Sequence, residues 1–399
     1  MAASVSLGSV AAMRRLLLLV AVLVGVDTML YAALTPLLPH FSHEFGLSKS
    51  RAGVLVAAYA AGALVGGLPG GVASARLGAR RAVLTGLVLM GLASLGFAFA
   101  GGFWTLFAAR FVQGAGSGFT WAGALAWLLA VAPRERRGEL LGGALGAAVF
   151  GALLGPVIGA AAALAGREPV FAGLAALSLV LGVWATRVET APAEEPPSAA
   201  AIGRALRDRQ FVGGLLVMVL PSLLFGILSV LAPLHLAAVG WGAAAIGAVW
   251  LVSAGLEALQ APFVGRWTDR AGRLLPVRVS LVAGAVSSLG LAVGARPLVY
   301  VPLVVVASLA WGAMFTPSFA LLADGAEAAG LPQGMGFGFM NAAWALGSIV
   351  GPAAGGAIAG ATSDWIPFVL AAAVCTAGLL LARPRSEHEG AAVLVDRLP

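Results

Sequence analysis

Blocks of about twenty apolar residues recur along the whole chain, and this spacing limits the possible folds more than any other feature. The first, "LLLLVAVLVGVDTMLYAALTPLL", occupies residues 16–38. A helix of about that length crosses the roughly 30 Å hydrocarbon core of a bilayer. Charged residues make up 10% of the 399, against about 25% in a soluble domain, and the mean hydropathy is +0.98. The expected class is an all-α polytopic membrane protein in a lipid bilayer. Arg14 and Arg15 ahead of the first block resemble the start of a signal peptide. The block is too long for a signal core, however, and no small-residue cleavage site follows it.

Twelve spans are predicted at 16–38, 51–73, 82–101, 104–130, 139–164, 169–186, 211–238, 244–265, 277–295, 298–323, 333–360 and 365–382. The segment 187–210 is rich in Pro, Glu and Ala and lacks apolar periodicity, so it reads as a linker. The expected organisation is a six-helix bundle (1–186), a cytoplasmic linker (187–210), a second six-helix bundle (211–382) and a cytoplasmic tail (383–399). One set of loops and both ends carry Arg14, Arg15, Arg76, Arg80, Arg81, Arg134, Arg136, Arg137, Arg187, Arg204, Arg207, Arg209, Arg266, Arg270, Arg273, Arg278, Arg383, Arg385 and Arg397. The opposite loops carry Lys49, Arg51, Arg167 and Arg296, which is 19 basic residues against 4. Basic loops stay cytoplasmic, so both termini are expected inside a cell (inner) membrane. The same asymmetry explains the net charge of +7 without a nucleic-acid partner.

Two patterns occur twice. "GVASARLGARR" (71–81) and "GRWTDRAGR" (265–273) align Gly71, Arg76 and Gly78 with Gly265, Arg270 and Gly272, an offset of 194. In spans 5 and 11, Gly142, Gly151, Gly155, Pro156 and Gly159 align with Gly338, Gly347, Gly351, Pro352 and Gly355, an offset of 196. Two independent patterns at nearly one offset indicate a duplicated six-helix unit. Parallel repeats of this kind are one transporter architecture, with substrate bound near the midplane between the halves.

These residues resemble the major facilitator superfamily over essentially the whole chain. The loop patterns are similar to its G-x-x-x-D-R-x-G-R/K signature, and "RFVQGAGSG" (110–118) is similar to its R-x-x-Q-G-x-G motif. The span-5 pattern resembles the signature of twelve-span drug:proton antiporters. "DTMLYAALTPLLP" and the span-11 pattern resemble the vesicular monoamine branch. The resemblance implies a proton-coupled antiporter that exports small lipophilic compounds, acting as a monomer. It also implies gating by Arg76, Gly78, Asp269 and Arg270 in the loops and by Gly155, Pro156, Gly351 and Pro352 in the spans. Two positions depart from the pattern: Ala75 replaces the loop Asp that Asp269 retains, and Asn341 stands where the monoamine branch has an acid.

Gly62, Gly66 and Gly70 in span 2 have the spacing of close helix contact, as do Gly151, Gly155 and Gly159 in span 5. Pro156 adds an expected bend, because a proline leaves a carbonyl without its intrahelical partner.

What the repeat does not share is the better guide to chemistry. Asp27 maps onto Leu223, Glu257 onto Ala63, and Arg110 into Val304–Val306. A charge at a helix centre costs about 2.5–3.5 kcal/mol on insertion scales, so each should face the interior. Polar and aromatic residues share their helix faces: Asp27, Tyr31 and Thr35; Arg110, Gln113, Ser117 and Trp121; Trp250, Ser253, Glu257 and Gln260; Trp311, Phe315 and Phe319; Asn341, Trp344 and Ser348. Phe225 in span 7 completes the expected substrate pocket of Asp27, Tyr31, Gln113, Trp121, Phe225, Trp250, Glu257, Trp311, Phe315, Asn341 and Trp344. Asp27, Glu257 and Arg110 are the expected proton-coupling residues. An Asp27–Arg110 ion pair tying helices together is the structural alternative.

Three rival functions remain: an antiporter of lipophilic, including cationic, compounds; a transporter of a polar metabolite such as an amino acid, siderophore or sugar; and a membrane sensor without transport. An enzyme is not expected. His40, His43, His235 and His388 form no ligand-spaced set, and there is no G-x-S-x-G, so neither metal nor cofactor is implied.

Overall fold

The computed structural model describes residues 9–131, 137–190, 199–294, 296–331 and 333–381. Arg134, Arg136, Arg383, Arg385, Arg397 and the tail 383–399 lie outside these residues. Span 1 consists of α1 (Ser9–Ala32) and α2 (Leu34–Glu44). Spans 2 to 6 are α3 (Lys49–Leu77), α4 (Ala79–Ala98), α5 (Phe103–Val131), α6 (Arg137–Ala165) and α7 (Arg167–Thr186). After the short α8 (Ala199–Ala205), spans 7 to 9 are α9 (Arg209–Ala238), α10 (Ala243–Ala271) and α11 (Leu274–Val293). Span 10 is α12 (Pro297–Gly312) with α13 (Phe315–Ala328). Spans 11 and 12 are α14 (Gln333–Ala361) and α15 (Trp365–Leu381). Eleven of these passages are long and apolar enough to cross a bilayer, and α15 is a shorter apolar helix.

Three departures from the expected elements have local causes. Span 1 breaks at Ala33, just ahead of Pro36, which cannot donate to the Ala32 carbonyl. Span 10 breaks at 313–314, ahead of Pro317. Part of the expected linker is helical: in α8, Ala201 and Ala205 are four residues apart and pack into an apolar cluster with Phe211, Met218 and Leu322. Methyl side chains sufficed there, too small to register as a periodic face.

The glycine stripes are close helix contacts. A Cβ at Gly62 would lie 1.9 Å from the Phe111 carbonyl oxygen of α5. Cβ atoms at Gly151 and Gly159 of α6 would lie 2.0 and 2.1 Å from the Gly25 and Ala33 carbonyl oxygens in span 1. At Gly351 of α14 the corresponding distance is 2.1 Å, to the Leu223 carbonyl oxygen of α9. Both α6 and α14 run through Pro156 and Pro352 without ending.

The prolines serve a second purpose. The Pro352 carbonyl oxygen would lie 2.2 Å from a Cβ at Gly53 of α3, and the Pro156 carbonyl oxygen 3.0 Å from one at Gly247 of α10. Gly53 and Gly247 are 194 residues apart, so the repeat places equivalent glycines opposite equivalent prolines. These approaches between the first six and last six spans cluster at the end that carries Lys49. There Lys49 forms an ion pair with Asp364, and Gly356 packs on the Lys49 backbone. At the opposite, arginine-rich end, Arg76, Asp269 and Arg270 are exposed. Gly78 and Gly272 adopt φ of +91° and +80° to end α3 and α10 there, a conformation that favours glycine.

The Lys49 end therefore holds closed through backbone contact, with the ion pair as a minor addition. Gly53→Val should drive the spans apart, and a cysteine at Ala57 in a Cys375→Ser background should then label faster with maleimide. Asp364→Asn should raise labelling by no more than about fivefold, because an exposed ion pair contributes about 0.2–1 kcal/mol. Unchanged labelling in Gly53→Val would contradict this account.

Candidate functional site

Asp27 sits midway along span 1 and is 3% exposed. Each carboxylate oxygen is hydrogen-bonded: Tyr59 Oη donates to Oδ1 at 2.8 Å, while Ser117 Oγ and Trp121 Nε1 donate to Oδ2 at 2.9 and 2.7 Å. All three donors are uncharged. Tyr59 comes from α3, and Ser117 and Trp121 from one face of α5, where spacing by four residues aligns them. The glycines of α3 and α5 allow this, since their interlocked backbones bring Tyr59 within reach of Asp27.

Arg110 does not pair with Asp27. Its Nη1 donates to the Leu30 carbonyl at 2.8 Å and to Gln113 Oε1 at 2.7 Å, and its Nη2 donates to the Tyr31 carbonyl. The ion-pair alternative is thus replaced by backbone capture beside the break in span 1. The guanidinium carbon lies 4.6 Å from the Tyr59 ring centroid, so the ring separates cation from acid. Arg110 Nε and Gln113 Nε2 are buried donors without partners among the described residues.

Tyr31 is half-buried, with its ring 5.1 Å from Tyr59 and 5.2 Å from Trp344 of α14. It joins the two sets of spans next to Asp27. On the other side, Phe225 stacks with Phe315 at 6.2 Å and Phe315 with Phe319 at 6.5 Å. Trp311 is fully buried, packed against Gly284 with its ring 5.8 Å from Phe225. Because α12 ends at Gly312, Trp311 and Phe315 do not continue one helical stripe. Trp250 and Asn341 are half-buried, and Trp250 borders the main apolar core. Glu257 is half-buried against Gly312, and Gln260 one turn on donates to the Leu309 carbonyl at 2.7 Å. The expected residues thus form two clusters, one around Asp27 and one around the break in span 10.

Tyr59 and Gly53 were absent from the expected site. Tyr59 had a signal: it is one of three tyrosines in the chain and the sole hydroxyl-bearing aromatic of span 2. Gly53 was one of 55 glycines and had none.

Hydrogen bonds to a charged group contribute about 1.5–3 kcal/mol. Tyr59→Phe should therefore lower the thermal unfolding midpoint in detergent measurably. Arg110→Ala should lower it further by uncovering two carbonyls and Gln113. Arg110→Lys should recover only part, because an ammonium cannot present the planar fork. Equal midpoints for Arg110→Lys and wild type would refute the bridging role.

Twelve helical passages with ionisable groups at mid-depth define a transporter-type membrane fold. A sequence profile described as Major Facilitator Superfamily matches residues 17–335, and the chain belongs to that family. An uncharacterized MFS-type transporter, YcaD, from Escherichia coli O139:H28 is 30% identical over 269 residues, covering 66% of this chain and 69% of that protein. Among solved structures, a bacterial homolog of the human lysosomal transporter Spinster matches with a TM-score of 0.76 at 12% identity, covering 94% of this chain and 96% of that one. The xylose transporter XylE from E. coli matches with a TM-score of 0.69 at 16% identity, covering 93% and 97%. At such identities the likeness establishes the fold. The chain is a multi-pass membrane transporter of the superfamily.

Proposed function

We propose that this transporter is a proton-coupled antiporter that exports small lipophilic compounds, cations among them, by alternating access. The two sets of spans, 1–186 and 211–382, rock about the midplane with residues 187–210 linking them. Basic residues concentrate at the end carrying Arg76, so that end and both termini are assigned to the cytoplasm and the Lys49 end to the outside. On this assignment the two sets of spans meet closely at the outward end.

The observation that carries the reading is the environment of Asp27. An acid buried in the membrane interior is costly, and here no cation neutralises it directly. Its donors can nevertheless serve both protonation states. Trp121 can only donate, and would keep Oδ2. Tyr59 can donate or accept. If Asp27 takes a proton on Oδ1, Tyr59 can accept a hydrogen bond from that O–H and turn its own hydrogen to the Asp27 carbonyl oxygen, 3.4 Å away. A proton can then enter or leave without leaving a buried group unpaired, the main cost of such a change. Arg110, behind the Tyr59 ring, biases the acid without locking it in one state. Trp121 and Tyr31 beside Asp27 are half-buried, and the Tyr31 ring reaches Trp344 of the other set of spans. The driving force suffices: about 2.3 kcal/mol per charge per 100 mV, with about 1.4 kcal/mol per pH unit. Together these support roughly a several-hundred-fold gradient of a neutral solute.

The test is proton release by purified protein in weak buffer when lipophilic cations and neutral compounds are added. Wild type should release protons as it binds, and Asp27→Asn should bind without release. Tyr59→Phe, which keeps the acid but removes its switchable partner, should release with an altered pH dependence. Binding without release in wild type would defeat the coupling. Unchanged release in Asp27→Asn would place it elsewhere.

A further inference from the structure

Span 10 is broken where it passes Glu257. The Met314 N–H turns back to the Trp311 carbonyl at 3.0 Å, so the Ala310 carbonyl loses the partner an unbroken helix would supply. Pro317 has no N–H, so the Ala313 carbonyl lacks one too. Gln260 covers a third carbonyl, that of Leu309, which also accepts from Ala313. Glu257 lies one turn before Gln260 on α10 and packs against Gly312 itself: a Cβ there would be 3.0 Å from Oε2 and 3.1 Å from Cδ. Among the described residues, the Glu257 carboxyl takes no hydrogen bond and no ion pair. Asp27, in contrast, has a donor on each oxygen. Directly after the break begins the stacked row Phe315 and Phe319, with Phe225 against Phe315.

An open acid, two carbonyls without helical partners and an aromatic row all lack a donor or a cation. A buried carbonyl without a partner is unfavourable in the membrane interior, where little water reaches it. A protonated amine would supply charge to Glu257, N–H donors to the acid and a carbonyl, and a cation to the ring faces. A quaternary ammonium would supply the charge but no donor, leaving the carbonyls bare.

We propose that Glu257 and the break in span 10 form the subsite for the head group of a protonated lipophilic amine, and that the subsite selects amines bearing N–H over quaternary ammonium compounds. This rests on the reading of the transporter as an exporter of lipophilic compounds, and names the chemical class that the last six spans recognise.

The test compares a naphthylmethyl dimethylamine with its trimethylammonium counterpart, titrated against the purified full chain at a pH where the amine is protonated. Wild type should bind the amine about tenfold more tightly. Glu257→Gln should weaken amine binding and erase the preference. Pro317→Ala restores an N–H at position 317 and keeps the acid. It should bring the amine's affinity toward that of the quaternary compound while leaving the latter's affinity unchanged. Thermal midpoints of each variant separate loss of the site from loss of the fold. Equal affinity for the two probes in wild type, or a preference that survives Glu257→Gln, would overturn the proposal. So would a preference that vanishes in Asp27→Asn alone. Because binding is read without a gradient, selectivity without proton release would count against antiport only, and release without selectivity against this subsite only.

Discussion

The hydrocarbon core of a bilayer offers the backbone no water, so a carbonyl freed by a break in a helix there gains from a donor on another group. Two spans here break, and each break is met by a polar side chain from a neighbouring helix. In span 1, Arg110 reaches from α5 to the Leu30 and Tyr31 carbonyls. In span 10, Gln260 reaches from α10 to the Leu309 carbonyl. Each break also lies close to an acid of the membrane interior, Asp27 three residues before Leu30 and Glu257 one turn from Gln260. Arg110 thus covers carbonyls beside the break in span 1, whereas Gln260 meets a carbonyl that keeps its helical partner and leaves those of Ala310 and Ala313 free. The acids occupy the irregular ground beside these breaks.

Glycine sets how closely these elements can approach. Were Gly62 or Gly114 to carry a side chain, α3 and α5 would separate, and Tyr59 would be carried away from Asp27. Gly151 and Gly159 bring α6 onto span 1 on both sides of its break, near Gly25 and Ala33. The duplicated motif therefore has two faces. Its glycines bind the helix to a neighbour among its own six spans, and its proline carbonyl meets a glycine of the other six. The expected bend at Pro156 is not needed to explain the motif. The Pro352 and Pro156 carbonyls lie instead against the Gly53 and Gly247 backbones, where a side chain would be excluded.

How much of this was legible depended on whether one helix or two were needed to see it. The twelve passages, the repeat and the inward-facing acids follow from patterns within single helices, and the structure places helices where those patterns fall. The partners of the acids depend on which helices touch, and so on interlocking glycines that look alike in the sequence. Asp27 and Arg110 suggested a pair by opposite charge. The arginine turned instead to carbonyls exposed at Ala33, a break that hydropathy does not report. The stripe through Trp311 and Phe315 was broken for a similar reason, because helical phase was carried across residues 313–314 where no helix exists. Lys49, at the start of α3, and Asp364, just ahead of α15, lie 315 residues apart and had no sequence signal linking them.

The two acids differ in a way that follows from their surroundings rather than from their side chains. Asp27 is enclosed, with a donor on every oxygen and one partner, Tyr59, that can reverse its hydrogen bond. Such a site can exchange a proton but has no room for the head group of a larger molecule without breaking three hydrogen bonds at once. Glu257 is half-buried and unpartnered, beside carbonyls that also lack donors. Such a site gains from any donor that arrives, and the Glu257 carboxyl has no hydrogen bond among the described residues to give up. If one acid handles protons and the other handles substrate, competition between the two cargos need not occur at a single carboxylate. Exchange would then be enforced by the rocking of the two sets of spans, which Tyr31 and Trp344 join at 5.2 Å immediately beside Asp27.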